Sequence, residues 1–513
     1  MLRFFILIVF IYLIFSTLSL GQNKLLTEIQ NYRKSHEQQI IKEYFQLLSI
    51  PNVSSDTANI RRNAELIKQM MVKRGIESQI IETKGNPVVY GKLQIPGATQ
   101  ILMFYAHYDG QPIDPSKWTE TEPFKPVIRP GKLAAGSNSP KPIPKSSSET
   151  HFKEDWRIYA RSASDDKAPI MAMLAAIDAI KSANVPLKNN LKFIFEGEEE
   201  AGSRNLRSFC EKNKEILKSD ILFICDGPIY YSNDPTLFFG VRGITSIEIT
   251  VYGPNTNLHS GHFGNWAPNP AMRLAQLLST MKDDKGKMTI KGFYDSIVPL
   301  SERELQALNA IPPYDEHLKK LYGFSQPESG DKNLIEAIQL PSLNVRGLHS
   351  GWIGRQARTI IPSRAIASID IRLVKGNEPG EMVQKVIDHI KSQGFHVVDE
   401  EPDLEILMKY PLVAKVTGGR GYKAARTLMD LPISKRVIES LTKYYVQEPV
   451  LLPTLGGSVP IYIFNDVFNV PTIGVPIVNH DNNQHQPDEN LRIGHLWKGI
   501  ETFAALILMN NTE

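Results

Sequence analysis

Three short runs along the chain, ILMFYA (101–106), LKFIF (191–195) and ILFIC (221–225), are almost wholly apolar. Runs of that length without alternation predict strands buried on both faces. Between them, APIMAMLAAIDAIKSA and NLRSFCEKNKEILK read as helices, and a further stretch from about Leu26 to Ser49 carries apolar residues at helical spacing. Strand–helix–strand alternation predicts a mostly parallel sheet covered by helices. From about Gly243 the texture changes. Strands ITSIEITVYG and RAIASIDIRLV alternate with helices NPAMRLAQLLSTMK and PGEMVQKVIDHIKSQ, which predicts a second, smaller α/β module. The segments ISKRVIESLTKYYV and PTIGVPI then return to helix plus buried strand and complete the first sheet.

The predicted organisation is one discontinuous α/β domain, 22–240 plus 431–513, with 241–430 inserted. A Pro/Ser/Lys-rich stretch from about Ile128 to Thr150 reads as a long surface loop. Residues 1–21 read as a signal peptide: Arg3, an apolar run from Phe4 to Phe15, then small residues up to Gly21. Phe4 to Leu20 approaches bilayer-spanning length, so an uncleaved tether is the alternative. The expectation is an exported chain, periplasmic or secreted, without stable membrane association after processing.

Composition narrows the function by exclusion. The 513 residues are 42% hydrophobic and 22% charged, an ordinary globular balance. A net charge of +3 with no basic stripe excludes a nucleic-acid partner. Cys210 and Cys225 are too few for a disulfide scaffold, and Cys225 closes an apolar run, which favours a free buried thiol. Without a CxxC pair there is no thiolate zinc site.

The candidate chemistry sits where the apolar runs end. LKFIF runs into Glu196, Glu198, Glu199 and Glu200, four like charges that must be solvated or neutralised. ILMFYA runs into His107 and Asp109, ILFIC into Asp226, and PTIGVPI is followed by NHDNNQHQPDEN. ARSASDDKAP adds Asp165 and Asp166 ahead of a helix. Sites in parallel α/β sheets form at the carboxyl ends of strands, so these groups are predicted to converge. Histidines and carboxylates without thiolates suit a pair of divalent, zinc-like ions. The S-x-x-K at Ser164–Lys167 lacks the companion motifs of serine acyl-enzymes and is read as coincidence.

In order along the chain, HYDGQP, ARSASDDKAP, EGEEEAGS, CDGP, NLHSGHFG, IIPSR and HQPDENL resemble the dinuclear zinc metallopeptidases. That family includes carnosinase-type dipeptidases, glutamate carboxypeptidases, aminoacylases and succinyl-diaminopimelate desuccinylases. The resemblance implies a catalytic domain with an inserted ferredoxin-like lid and dimerisation domain, and two Zn2+ per chain, with Mn2+ or Co2+ as substitutes. It implies that His107 and Asp226 hold one metal, Glu200 and His485 the other, and that Asp165 bridges them. The choices of Asp165 over Asp166 and of His485 over His480 rest on the resemblance alone. Asp109 would orient His107, and Glu199 would be the general base on a water between the metals. His259 would stabilise the oxyanion from the partner chain of a homodimer. Arg364 would take a substrate carboxylate, with Gly456, Gly457 and Ser458 as further donors. His262 is read as structural, because Gly261 argues against a helix there. Ser162 and Ala168 stand where the family commonly has glycine. The function implied is hydrolysis of an amide bond in a dipeptide or short peptide. The alternatives are an N-acyl-amino-acid deacylase using the same site and a non-catalytic binding protein on the same fold.

Overall fold

The computed structural model describes residues 26–118, 121–133, 141–143, 151–457 and 459–510. The predicted signal segment and Ser458 lie outside the described residues. The chain forms two compact units. One holds the residues up to Phe239 with Thr427–Leu451 and those from Val459 onward; the other holds Gly240–Arg426 and Leu452–Ser458.

The first unit is built on an eight-stranded sheet. Its strands lie in the order Glu77–Ile81, Val88–Leu93, Asn190–Glu196, Ile101–His107, Ile221–Ile224, Thr472–Gly474, Thr236–Phe238, Val450–Leu452. The four central strands, Asn190–Glu196 to Thr472–Gly474, run parallel. Val88–Leu93 and Glu77–Ile81 add antiparallel on one side, and Thr236–Phe238 on the other. The parallel centre is where the uninterrupted apolar runs fall. Phe104 stacks between Phe193 and Phe223 of the neighbouring strands, and all three are fully buried. Helix Ile493–Ile507 meets Phe104 edge-on through Phe503 and packs against helix Lys167–Ser182. Both helices are apolar on nearly every side and buried almost throughout, as a helix sandwiched in a core must be. Gly499 permits the approach: a Cβ there would come within 2.5 Å of Ile477.

A three-stranded antiparallel sheet, Val127–Arg129, Arg157–Tyr159 and Asn490–Arg492, ties the C-terminal segment to residues over 320 positions away. Ile128 is therefore a buried strand residue, not the start of a surface loop. The helix expected over NLRSFCEKNKEILK is shorter, Leu206–Lys212, ending where the Asn213 side chain turns back to donate to the Phe209 carbonyl. No helix among the described residues is long and apolar enough to cross a membrane. Cys210 and Cys225 are both free and buried.

The second unit carries a five-stranded sheet in the order Ser342–His349, Arg364–Leu373, Gly243–Tyr252, Val413–Tyr422, His396–Val398. With helices Pro270–Ser279 and Pro379–Ser392, its main elements follow the strand–helix–strand–strand–helix–strand course of a ferredoxin-like fold. Strict alternation along Arg364–Leu373 buries Ala365, Ala367, Ile369, Ile371 and Leu373 on one face. That face packs with Leu274, Leu277, Met382, Val386 and Ile390 of the two helices. Three short helices, Glu302–Ala310, Asp315–Tyr322 and Leu334–Ala337, fill a stretch for which the sequence predicted no element.

Candidate metal centre

The carboxyl ends of the central strands, the loop ahead of helix Lys167–Ser182 and the loop after Thr472–Gly474 deliver two groups of ligand-type side chains. His107, Asp166 and Asp226 form one, Asp165, Glu200 and His485 the other, and within each group the ligand atoms lie within 4.8 Å of one another. Asp165 lies between the two histidines. Its Oδ1 is 3.0 Å from His107 Nε2, and its Oδ2 is 3.0 Å from His485 Nε2. Asp226 Oδ2 lies 3.9 Å from the same His107 nitrogen, and Glu200 Oε2 is 3.4 Å from His485 Nε2. Asp166, joined to Asp165 by a cis peptide bond, accepts the His107 backbone N–H on its Oδ2 at 3.2 Å. His480 belongs to neither group and packs edge-on against Tyr231.

Asp109 organises this corner. It is fully buried, and its carboxylate oxygens accept the backbone N–H groups of Glu199 and Glu200, each at 3.1 Å. His107 Nδ1 lies 3.2 Å from the Asp109 carbonyl oxygen and 3.4 Å from its carboxylate. Those acceptors fix the proton on Nδ1 and turn the Nε2 lone pair toward Asp165 and Asp226. A lone pair facing carboxylates at these distances is repelled unless a proton or a cation lies between them.

The acids show the same strain. Burial and then Asp165 push Glu200 up to about 8 and Asp226 up to about 6. Burial raises Glu199 well above the ordinary range, against the pull of His107 and with Asp226 and Glu200 adding to it. Asp165 goes the other way. Burial opposes its charge, but the contacts with His107 and His485 hold it below the usual carboxylate range. Divalent cations would relieve this repulsion, and the all-His/carboxylate donor set fits ions of the zinc class.

The four glutamates after Phe195 have different fates. Glu196 and Glu198 are buried, not solvated. Glu196 accepts Tyr105 Oη at 2.5 Å and Ser203 Oγ at 3.1 Å. Glu198 accepts the backbone N–H groups of Asn86 and Asn205. The glycine between them is required, since a Cβ on Gly197 would lie 2.4 Å from Tyr108 Oη. Glu199 and Glu200 remain for chemistry on a short 3-10 turn, Glu199–Ala201.

Three residues that the sequence reading passed over act here. Gln111 Nε2 donates to Glu200 Oε2 at 2.6 Å, and Gln484 Nε2 donates to Asp165 Oδ2 at 2.8 Å. Glu489 is fully buried and is gripped by the ARSASDD loop. Ser162 occupies φ +59°, a left-handed conformation that favours glycine.

The remaining expected residues belong to the second unit. His259 is exposed and caps the short helix Ser260–Phe263, its Nδ1 accepting the Gly261 N–H at 3.1 Å. The glycine did not prevent a helix, because a single turn held by the His259 cap tolerates it. His262 stacks obliquely on His259, with ring centroids 4.6 Å apart. Arg364 is exposed at the start of its strand, opposite Tyr252. A Cβ on Gly457 would meet nothing within 4 Å, and one on Gly456 only Ile338 at 3.8 Å, so neither glycine is demanded by close approach.

A helix-flanked sheet with a parallel centre, bearing these histidine and carboxylate groups at its carboxyl edge, defines a metallohydrolase. The profile of peptidase family M20/M25/M40 matches residues 142–509, and the chain belongs to that family of metallopeptidases. The chain is 26% identical over 485 residues to the Cys-Gly metallodipeptidase DUG1 of Candida albicans, covering 90% of this chain and 92% of that protein. It is 26% identical over 433 residues to the Beta-Ala-His dipeptidase of Homo sapiens, covering 82% and 77%. Among solved structures, the M20 family metallo-carboxypeptidase Sso-CP2 from Sulfolobus solfataricus aligns with a TM-score of 0.70 and 29% identity, covering 92% of this chain and 98% of that one.

Proposed function

We propose that the chain is a dipeptidase with two zinc-class ions, one held by His107 and Asp226, the other by Glu200 and His485, with Asp165 shared. The observation that carries this reading is the Asp165 carboxylate, which turns one oxygen to each histidine. Asp166 is the weaker candidate for the bridge, because it groups with His107 and Asp226 alone, whereas Asp165 faces both histidines. Bound Zn2+, or Mn2+ or Co2+ in its place, supplies Lewis acidity that acidifies water and polarises the scissile carbonyl.

The chain's own residues do the rest. Glu199 accepts the proton of the attacking water and returns it to the leaving nitrogen, so water adds across the C–N bond to give a carboxylate and an amine. Asp109 keeps Glu199 and Glu200 on one turn by holding both their amides. The Nδ1 of His259 accepts a hydrogen bond from the Gly261 N–H, which leaves Nε2 to donate to an oxyanion. Arg364 offers a fork for the substrate's terminal carboxylate, with Gly456, Gly457 and Ser458 as further donors. His259 serves the site of a second copy in a homodimer.

The dipeptidase names of the relatives favour dipeptides over N-acyl amino acids. Amino-acid release by purified, Zn2+-loaded protein from a panel of both substrate classes tests this. Turnover confined to N-acyl amino acids would make the chain a deacylase, and no turnover of either would support a binding role. Export rests on segment 1–21, and sequencing the mature N-terminus checks it, with Gln22 expected first.

A further inference from the structure

Glu489 accepts five hydrogen bonds from one loop. Its Oε2 takes Arg161 Nη1 at 2.7 Å and the Ser162 N–H at 2.9 Å. Its Oε1 takes the Ser164 N–H at 3.0 Å, Ser164 Oγ at 2.9 Å and the Asp165 N–H at 2.9 Å. The carboxylate is wholly buried and neutralised by Arg161, itself buried. Its own carbonyl accepts the Ala160 N–H, and the next three residues pair with Arg157–Tyr159. The same C-terminal segment supplies Gln484 and His485, which hold both the second oxygen of Asp165 and the Glu200 side of the centre. Asp165 is thus fixed at its backbone by Glu489 and at its carboxylate by residues four and five positions earlier.

From this geometry we infer that Glu489 is a positioning residue: it sets Asp165 between the two metal groups and registers the His485 loop against it. The inference rests on the dinuclear reading above. Both side-chain oxygens are needed as acceptors, because donors face each of them. A glutamine amide would turn an NH2 group against one set of donors whichever way it flipped.

The test is Zn2+ affinity of the full chain, measured by competition with a chromophoric chelator, alongside circular dichroism and steady-state kinetics. Glu489→Gln should bind Zn2+ about 10- to 100-fold more weakly. Its kcat should fall in the same range while KM changes less than about threefold, since no substrate contact is lost. Ser164→Ala removes one donor from the same oxygen and should show a smaller loss of affinity in the same direction. It decides the matter if Glu489→Gln does not fold. A residue that merely staples the fold would lower the melting temperature and leave metal affinity unchanged. A folded Glu489→Gln with wild-type Zn2+ affinity would overturn the inference, as would wild-type affinity in Ser164→Ala should Glu489→Gln not fold. A wild-type chain that binds no Zn2+ would overturn the functional reading and this inference together.

Discussion

Glu199 and Glu200 are chemically identical neighbours, and Asp109 holds both their backbone amides on one turn. Glu200 faces His485, and in the proposed mechanism Glu199 transfers the proton. Glu199→Gln should retain both ions and lose about 10²–10⁴-fold in turnover, since only the proton acceptor goes. Metal analysis and kinetics on one preparation check it; near-normal activity with full metal would remove Glu199 from the mechanism. Asp165→Ala should lose at least one ion per chain, because in the proposed centre its carboxylate would offset the repulsion between two cations. Retention of both at wild-type affinity would shift the bridge to Asp166. His107, Glu200 and Asp226 were legible because each lies just past an apolar strand, whereas Asp165 and His485 were singled out only by the resemblance. Glu489 was not legible, because its four partner residues lie over 320 positions away and nothing local marks a buried acid.

The last long helix, Ile493–Ile507, carries a titratable group into the core. His495 is buried, and burial lowers its pKa to about 3. Between that value and the unfolded value of about 6.5, the unfolded chain binds a proton that the native chain does not. Stability should therefore be unaffected by this group above about pH 6.5 and fall as pH drops below it, by about 2 kcal/mol at pH 5. His495→Asn should shrink the difference in melting temperature between pH 7 and pH 5; an unchanged difference would mean that His495 is protonated in the native state. At this scale the sequence was informative where periodicity was clean. Uninterrupted apolar runs marked the parallel centre, and alternation marked the second sheet. It was silent over 302–337, where short capped helices bury little and leave no long pattern. It misjudged 260–263 because a one-turn helix depends on its cap more than on propensity.

For the whole molecule, the proposed pairing through the second unit carries its own test. Homodimers of His259→Ala and of Glu199→Ala should each be nearly inactive, while a mixed dimer holds one intact site, combining Glu199 of one chain with His259 of the other. With equal co-expression and random pairing, activity should return to roughly a quarter of wild type, and to roughly half in purified mixed dimers. Mixed dimers as inactive as their parents would place His259 outside the partner's site. The account as a whole stands on two ions sharing Asp165, and metal titration of the apo-protein addresses that directly. Bound Zn2+ and dipeptide turnover should be measured on the same samples as ion is added. The account predicts that activity is absent without metal and reaches its plateau at two ions per chain. Full turnover at one ion per chain, or turnover indifferent to added Zn2+ in the stripped protein, would contradict it.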